Sequence, residues 1–404
     1  MRDVYMKLDG GVTAPAGFRA AGVACGIKAN GKLDLAVVVS DSPSTAAAVF
    51  TTNLAQAAPV LVSREHLQSS AGRMSAIVVN SGCANACTGS DGMAHAAQMT
   101  ELTARALSID PTAVLVASTG VIGVKLPMEH VARGIDEAVR SLSPDGGPSA
   151  ARAIMTTDPF PKEAAIEART DAGTFRLGGI AKGSGMIEPL MATMLGFVTL
   201  DAAVEPALLQ RALKAACDDT FNAITVDGEC STNDCVFVLA NGASGVTLTE
   251  ADYALLVDAV RQVCEPLAIG IVRGGEGASK VITVRVSGAT SNDEARRAAR
   301  AIANSPLVKT AIHGGDPNWG RLVAVMGRSG ATFSLEGAAV RIGPVELFKD
   351  GTPFDERAPE AAEYLKGTDI EVSVDLGTGG AGVSHMWTCD LTAEYVRINA
   401  EYRT

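Results

Sequence analysis

The run Lys182-Gly183-Ser184-Gly185-Met186-Ile187-Glu188-Pro189-Leu190-Met191-Ala192-Thr193-Met194-Leu195 holds the residues best suited to covalent chemistry. Small residues lead to a helix-breaking proline, and a β-hydroxyl then follows a residue with almost no side chain. Thr193 Oγ can attack the Ala192 carbonyl, giving an ester by N-to-O shift that water then hydrolyses. The α-amine so freed has an ordinary pKa of roughly 7.7–8.0. It can therefore take the hydroxyl proton near neutral pH without a histidine or lysine. That is the chemistry of an N-terminal nucleophile. By itself, the same Ala-Thr pair also suits the start of a buried strand or helix, because short motifs are weakly specific.

A nucleophile of this kind needs donors where negative charge develops. Ser118-Thr119-Gly120 follows an apolar strand over 113–116 and precedes a glycine-containing turn. A backbone N–H at Gly120 can approach an oxyanion closely because no Cβ intervenes, and the Thr119 hydroxyl offers a second donor. The competing reading of these three residues is an ordinary strand-ending turn.

The elements that must position these groups mix strands and helices in both halves. Short β-rich runs predict strands over 35–39, 46–50, 59–62, 75–79 and 280–286, with 370–375 as the last. Helical spacing covers 91–107, 127–142, 205–219, 249–267 and 292–303. Strict βαβ alternation and internal repeats are both missing, so the fold class reads as α+β, built of mixed α/β layers. A Pro/Gly-rich break at 144–148 is too short for a domain linker. At 404 residues the chain exceeds one typical core, which predicts two domains or one large two-lobed unit.

Composition narrows the partners. A net charge of −11 with 4% aromatic residues argues against nucleic acid, which needs basic stripes and stacking surface. Arg296, Arg297 and Arg300 read as a solvated helix face. No apolar run reaches the ~18 residues of a membrane span, and the N-terminus lacks a signal-peptide core, so a cytoplasmic protein is expected. Eight cysteines (Cys25, Cys83, Cys87, Cys217, Cys230, Cys235, Cys264 and Cys389) lack metal-ligand spacing and read as buried, reduced thiols. Gly183-Ser184-Gly185 and Gly274-Gly275 read as turns and not as phosphate cradles, so neither metal nor organic cofactor is expected.

Further segments carry a resemblance. They are Asn80-Ser81-Gly82-Cys83-Ala84-Asn85-Ala86-Cys87-Thr88-Gly89, Ser118-Thr119-Gly120-Val121-Ile122-Gly123, Ile154-Met155-Thr156-Thr157-Asp158 and Ser231-Thr232-Asn233-Asp234. Asn304-Ser305-Pro306-Leu307-Val308-Lys309-Thr310, Asp316-Pro317-Asn318-Trp319-Gly320-Arg321 and the closing stretch 395–404 continue it. Together with the 182–195 run, and in this order, they resemble the ornithine acetyltransferase family, the bifunctional glutamate N-acetyltransferases of arginine biosynthesis.

The resemblance implies a precursor that cuts itself between Ala192 and Thr193. An α chain of 1–192 and a β chain of 193–404 would then co-fold into one unit and assemble as an α2β2 heterotetramer. Thr193 would carry the acetyl group between N2-acetylornithine and L-glutamate in a ping-pong reaction, giving ornithine and N-acetylglutamate. Thr119 and Gly120 would form the oxyanion hole, and Thr156, Lys182, Thr193, Glu276, Asn399 and Thr404 the substrate contacts. Lys182 suits a carboxylate and Glu276 an ammonium, while Asn399 and the chain-terminal Thr404 offer adaptable hydrogen bonds. Family members differ in using acetyl-CoA as a second donor, and no residue here decides it. Cys83 departs from the family's small or amide residue and reads as packing; His313 reads as structural. Two alternatives stay open: an aminopeptidase or amidohydrolase that gives the acyl group to water, and an uncleaved binding protein for amino-acid ligands.

Overall fold

Runs of valine, alanine and leucine with a period of two build the larger of two units. The computed structural model describes residues 4–188 and 194–401. The first unit comprises Met1–Asn222 and Glu229–Ile271, the second Ala223–Gly228 and Val272–Arg403. The first holds β1 (Tyr5–Leu8), β2 (Phe18–Val23), β3 (Leu35–Phe50), β4 (Arg73–Cys83), β5 (Val114–Val121) and β6 (Lys162–Thr170). It continues with β7 (Gly173–Lys182), β8 (Leu195–Leu200), β9 (Ala203–Val204), β10 (Cys235–Ala240) and β11 (Thr247–Leu248). The last pairs with β9, and the rest form one sheet ordered β1-β6-β7-β8-β10-β3-β4-β5, with β2 alongside β3. Its helices are α1 (Ala58–Ser69), α2 (Gly89–Leu107), α3 (Met128–Arg140), α4 (Gly147–Ala153), α5 (Pro206–Asp219) and α6 (Tyr253–Arg273), the last included as far as Ile271.

Both faces of this sheet are buried. Leu35, Val37, Ala76, Val78, Val114 and Val116 share one core with Val62, Met99 and Ile135 of α1, α2 and α3. Their neighbours Ala36, Val38, Ile77, Val79, Leu115 and Ala117 share the other with Ala150 and Ala151 of α4. Side chains alternate across a pleated strand, so one run of apolar residues serves two cores. Mixed α/β layering is thus what the chain forms.

The run 59–62, expected as a strand, is instead the first turn of α1. Pro59 sits where a missing N–H costs nothing. Ala58, Val62 and Ser63 are buried while Leu61 is exposed, a helical pattern too short to separate from a strand in sequence. The helix closes a sheet edge. Ser63 Oγ accepts from Val116 N at 2.8 Å and donates to Val116 O at 2.7 Å. With His66 Nδ1 2.9 Å from Val114 O, it occupies the free edge of β5. The expected strands 35–39 and 46–50 are one irregular strand, β3. There Gln210 of α5 hydrogen-bonds both Ala48 N (3.1 Å) and Ala48 O (3.0 Å).

In the second unit β12 (Val281–Ala289), β13 (Ala339–Ile342), β14 (Val345–Lys349), β15 (Thr352–Pro353), β16 (Asp369–Asp375) and β17 (Gly382–Cys389) form a sheet ordered β15-β14-β13-β16-β12-β17. Helices α7 (Asn292–Ala303), α8 (Pro306–Gly314), α9 (Trp319–Arg328), α10 (Ala358–Tyr364) and α11 (Ala393–Glu401) complete it. Ile282, Val284, Ile370 and Val372 bury against Ala295, Ile302 and Met326, while Arg296 and Arg297 stay on the exposed face of α7 and Arg300, expected with them, is half-buried. β16 is not the last strand; β17 follows, hidden in sequence because Ser384 and His385 interrupt its apolar pattern. The expectation of uniformly buried thiols fails at Cys87, exposed at φ 56° in the turn before α2. Among the described residues no helix is long and apolar enough to cross a membrane.

Asp390 ties this unit's strand ends together. Its carboxylate accepts from Ser279 N (2.8 Å), Ser279 Oγ, Lys280 N (2.9 Å) and His313 Nδ1 (2.8 Å), the structural role expected of His313. Burial alone would raise its pKa, but these bonds hold it below the usual carboxylate value. A depressed folded pKa contributes stability that is present above the unfolded pKa of about 3.9 and lost as pH falls through the folded value. Asp390→Asn should therefore cost roughly 2–3 kcal/mol at neutral pH. That deficit should shrink as pH drops below about 4, checked by urea unfolding at several pH values.

Candidate active site

Parallel pairing of β4 with β5 sets Gly82 opposite Gly120. The strand extends through Val121, so Thr119 and Gly120 lie within it and not in a turn after it. At φ 130° Gly120 is in a region side chains rarely adopt, and an added Cβ would come within 2.3 Å of the Gly82 carbonyl carbon. Two buried amides hold this strand end. Asn80 accepts from Ser118 Oγ at 2.6 Å and donates to Cys83 O at 2.8 Å. Asn233 donates to Ala84 O at 2.6 Å and Ser118 O at 2.9 Å. Buried amides are retained only when satisfied, so this network fixes the local backbone. Cys83 is buried, its Sγ 3.2 Å from Val124 O, a packing role.

Lys182 ends β7, and its Nζ donates to Thr119 Oγ1 at 3.2 Å. A hydroxyl that accepts from an ammonium keeps its own proton for donation, here toward whatever faces Thr119. Next to it Asp158, buried, accepts from Lys162 Nζ (2.6 Å) and Gly183 N (2.7 Å) on one oxygen and Thr156 N (2.9 Å) on the other. Burial would raise its pKa, but the charges of Lys182 and Lys162 outweigh that and hold it at about 2. Lys28 Nζ donates to Leu33 O (2.8 Å) and to Met155 O (2.7 Å), beside Thr156. Thr119, Gly120, Thr156 and Lys182, chosen from sequence, are thus joined through Asp158 and Lys28, which were not. Asp158 closes the 154–158 motif, two residues after Thr156. Lys28, between Ile27 and Ala29 in a glycine-containing stretch, carries no sequence signal.

In the second unit Asn399 Nδ2 donates to Glu276 Oε2 at 2.8 Å, joining two more of the expected contacts. Gly277, at φ 69°, lets that turn press on α11: a Cβ there would lie 2.5 Å from Tyr395 N. Glu276 is buried, so the turn carboxylate is not a solvated one. Ala192, Thr193 and Thr404 lie outside the described residues. Leu195, two residues after Thr193, pairs with Lys182 across β7 and β8. Among the described residues no group of three or more His, Cys, Asp or Glu is placed to hold a metal ion.

Burial is the largest influence on Lys28, with Lys182 adding to it and Asp34 and Asp158 opposing; its pKa is lowered to about 8. Titration of the 13C-dimethylated protein by NMR should show the Lys28 resonance, assigned through Lys28→Arg, with a midpoint near 8. Surface lysines should titrate near 10.4. A Lys28 midpoint among the surface values would contradict this electrostatic description.

The ArgJ family model matches residues 19–404. The arginine biosynthesis bifunctional protein ArgJ of Symbiobacterium thermophilum is 51% identical over 98% of this chain and 99% of its own. That of Synechococcus sp. is 50% identical, covering 100% of both chains. A solved structure of ornithine acetyltransferase complexed with ornithine from Mycobacterium tuberculosis is 47% identical, covering 46% of this chain and 100% of that one, with a TM-score of 0.44. Matched from Arg19 to its last residue, the chain belongs to the ArgJ family, the bifunctional acetyltransferases of arginine biosynthesis.

Proposed function

We propose that this acetyltransferase of arginine biosynthesis moves the acetyl group of N2-acetylornithine to L-glutamate through an ester on Thr193, after cutting its own chain between Ala192 and Thr193. The observation that carries this reading is the contact of Lys182 with Thr119, on the strand whose partner residue Leu195 lies two positions after the nucleophile. It supports Lys182 as the cation for a carboxylate and Thr119 as the oxyanion donor, since the two side chains meet.

Maturation begins when Thr193 Oγ attacks the Ala192 carbonyl. The C–N bond breaks as the ester forms, which frees the Thr193 α-amine, and water then hydrolyses the ester to the Ala192 carboxylate and the Thr193 hydroxyl. In turnover that amine takes the Oγ proton as the hydroxyl attacks the acetyl carbonyl. The tetrahedral anion is stabilised by Thr119 Oγ and Gly120 N–H. The proton passes to the departing nitrogen and ornithine leaves. Glutamate's α-amine then attacks the ester, regenerating Thr193 and giving N-acetylglutamate. Lys182 and Thr156 bind the α-carboxylate end, and Glu276, Asn399 and Thr404 complete the contacts. One amide replaces another, so the cycle is near thermoneutral and needs no nucleotide. The fragments 1–192 and 193–404 stay together, in an α2β2 assembly, and acetyl-CoA is a candidate second donor.

Intact-mass measurement after brief exposure to N2-acetylornithine tests the reading. Fragments 1–192 and 193–404 are expected, with one acetyl group on the second. Thr193→Ala should abolish both cleavage and acetylation, and Thr119→Val should lower turnover by on the order of 10²–10³. Active protein that migrates as one uncut chain, or acetyl on another side chain, would sink it.

A further inference from the structure

Two substrate-contact candidates in the first unit, Thr156 before β6 and Lys182 at the end of β7, are joined by one buried side chain. Asp158 Oδ2 accepts from the backbone N–H of Thr156 at 2.9 Å, and Oδ1 from that of Gly183, the residue after Lys182, at 2.7 Å. Lys162 Nζ, also buried, adds a third bond to Oδ1 at 2.6 Å. Both side chains of that ion pair are almost wholly out of water, at 2% and 0% exposure, so the bonds are not exchanged for solvent. Lys182 is itself buried and donates to Thr119.

We infer that Asp158 is a positioning residue for the acetyl-donor subsite, fixing Thr156 and Lys182 in the spacing that receives the substrate's α-carboxylate. The inference rests on the proposed function and deepens it. Two further facts support it. The cluster sets the carboxylates of Asp158 and Asp34 against the ammonium groups of Lys162, Lys182 and the half-buried Lys28, three positive charges to two negative. Burying a surplus charge is costly unless an opposite one arrives, and a substrate carboxylate supplies it. The geometry is also directional. An Asn at 158 keeps one acceptor oxygen but turns an NH2 group toward donors, so it cannot serve Thr156 N, Gly183 N and Lys162 Nζ together.

The test compares wild type, Asp158→Asn and the double variant Asp158→Asn/Lys162→Met. The double variant removes both members of the buried pair, so it tests positioning where the single variant fails to fold. Each is assayed, per processed chain counted by electrophoresis, with N2-acetylornithine and with N-acetyl-1,4-diaminobutane, which lacks the α-carboxylate. In both variants KM for N2-acetylornithine should rise by on the order of 10–100-fold. The decarboxylated donor should change far less, and kcat should move little. Equal losses on the two donors, wild-type KM in Asp158→Asn, or recovery of wild-type KM in the double variant would overturn the inference. The parent reading is read separately: wild type that forms no acetyl-Thr193 removes it, and this inference with it.

Discussion

Pairing of β7 with β8 is the constraint on which the rest of the first unit depends. Leu177 through Lys182 lie opposite Leu200 through Leu195, and β8 pairs in turn with β10. The two strands flank the junction at 192/193, yet they are neighbours in the interior of the sheet. A break in the chain between them removes one covalent connection and none of the described ladder. Strand hydrogen bonds and the buried core that Leu195, Phe197 and Phe237 share with Val38 and Ile77, both independent of that peptide bond, hold the halves together. In the proposed maturation, the chain can therefore be cut without loss of the sheet that carries Lys182.

The same geometry explains why charge is buried here at all. Lys162 and Lys182 would each be costly inside an apolar sheet. Asp158 meets that cost with one ion pair, two backbone bonds and the proximity of a second ammonium. Asn80 and Asn233 do the equivalent for neutral groups at the end of β5. Satisfied polar groups stiffen even the loop residues Thr156, Asp158 and Asn233 that border these strands, and acyl transfer requires donors placed before the charge appears.

Sequence reading recovered the parts of this fold whose pattern is local. The helical spacing of 91–107 became α2 with the same end, and 292–303 became α7 with the same bounds. It failed where two structures share one pattern: Pro59-Val60-Leu61-Val62 suits a strand as well as a helical first turn, and only the edge of β5 decides. It also failed where polar residues enter a strand, as at Ser384 and His385 in β17. For the site, Thr119, Gly120, Thr156, Lys182, Glu276 and Asn399 came from resemblance to known motifs. Asp158, Asn233 and Lys28 are defined by what they touch across more than a hundred residues of chain or through backbone groups, which no spacing reveals.

A chain of net charge −11 that is proposed to bind amino-acid α-carboxylates poses an apparent conflict. It resolves through distance. Surface carboxylates act through water and salt, where interactions fade beyond a Debye length of about 8 Å. The lysines around Asp158 act at hydrogen-bond range in a region with little water, where the same charge counts for far more. In the proposed reading, local surplus and not net charge therefore sets what the lysines attract. N2-acetylornithine and glutamate differ in the sign of their side-chain charge but share an α-carboxylate. In the proposed reading, a fixed cation for the shared group is the economical arrangement for serving both.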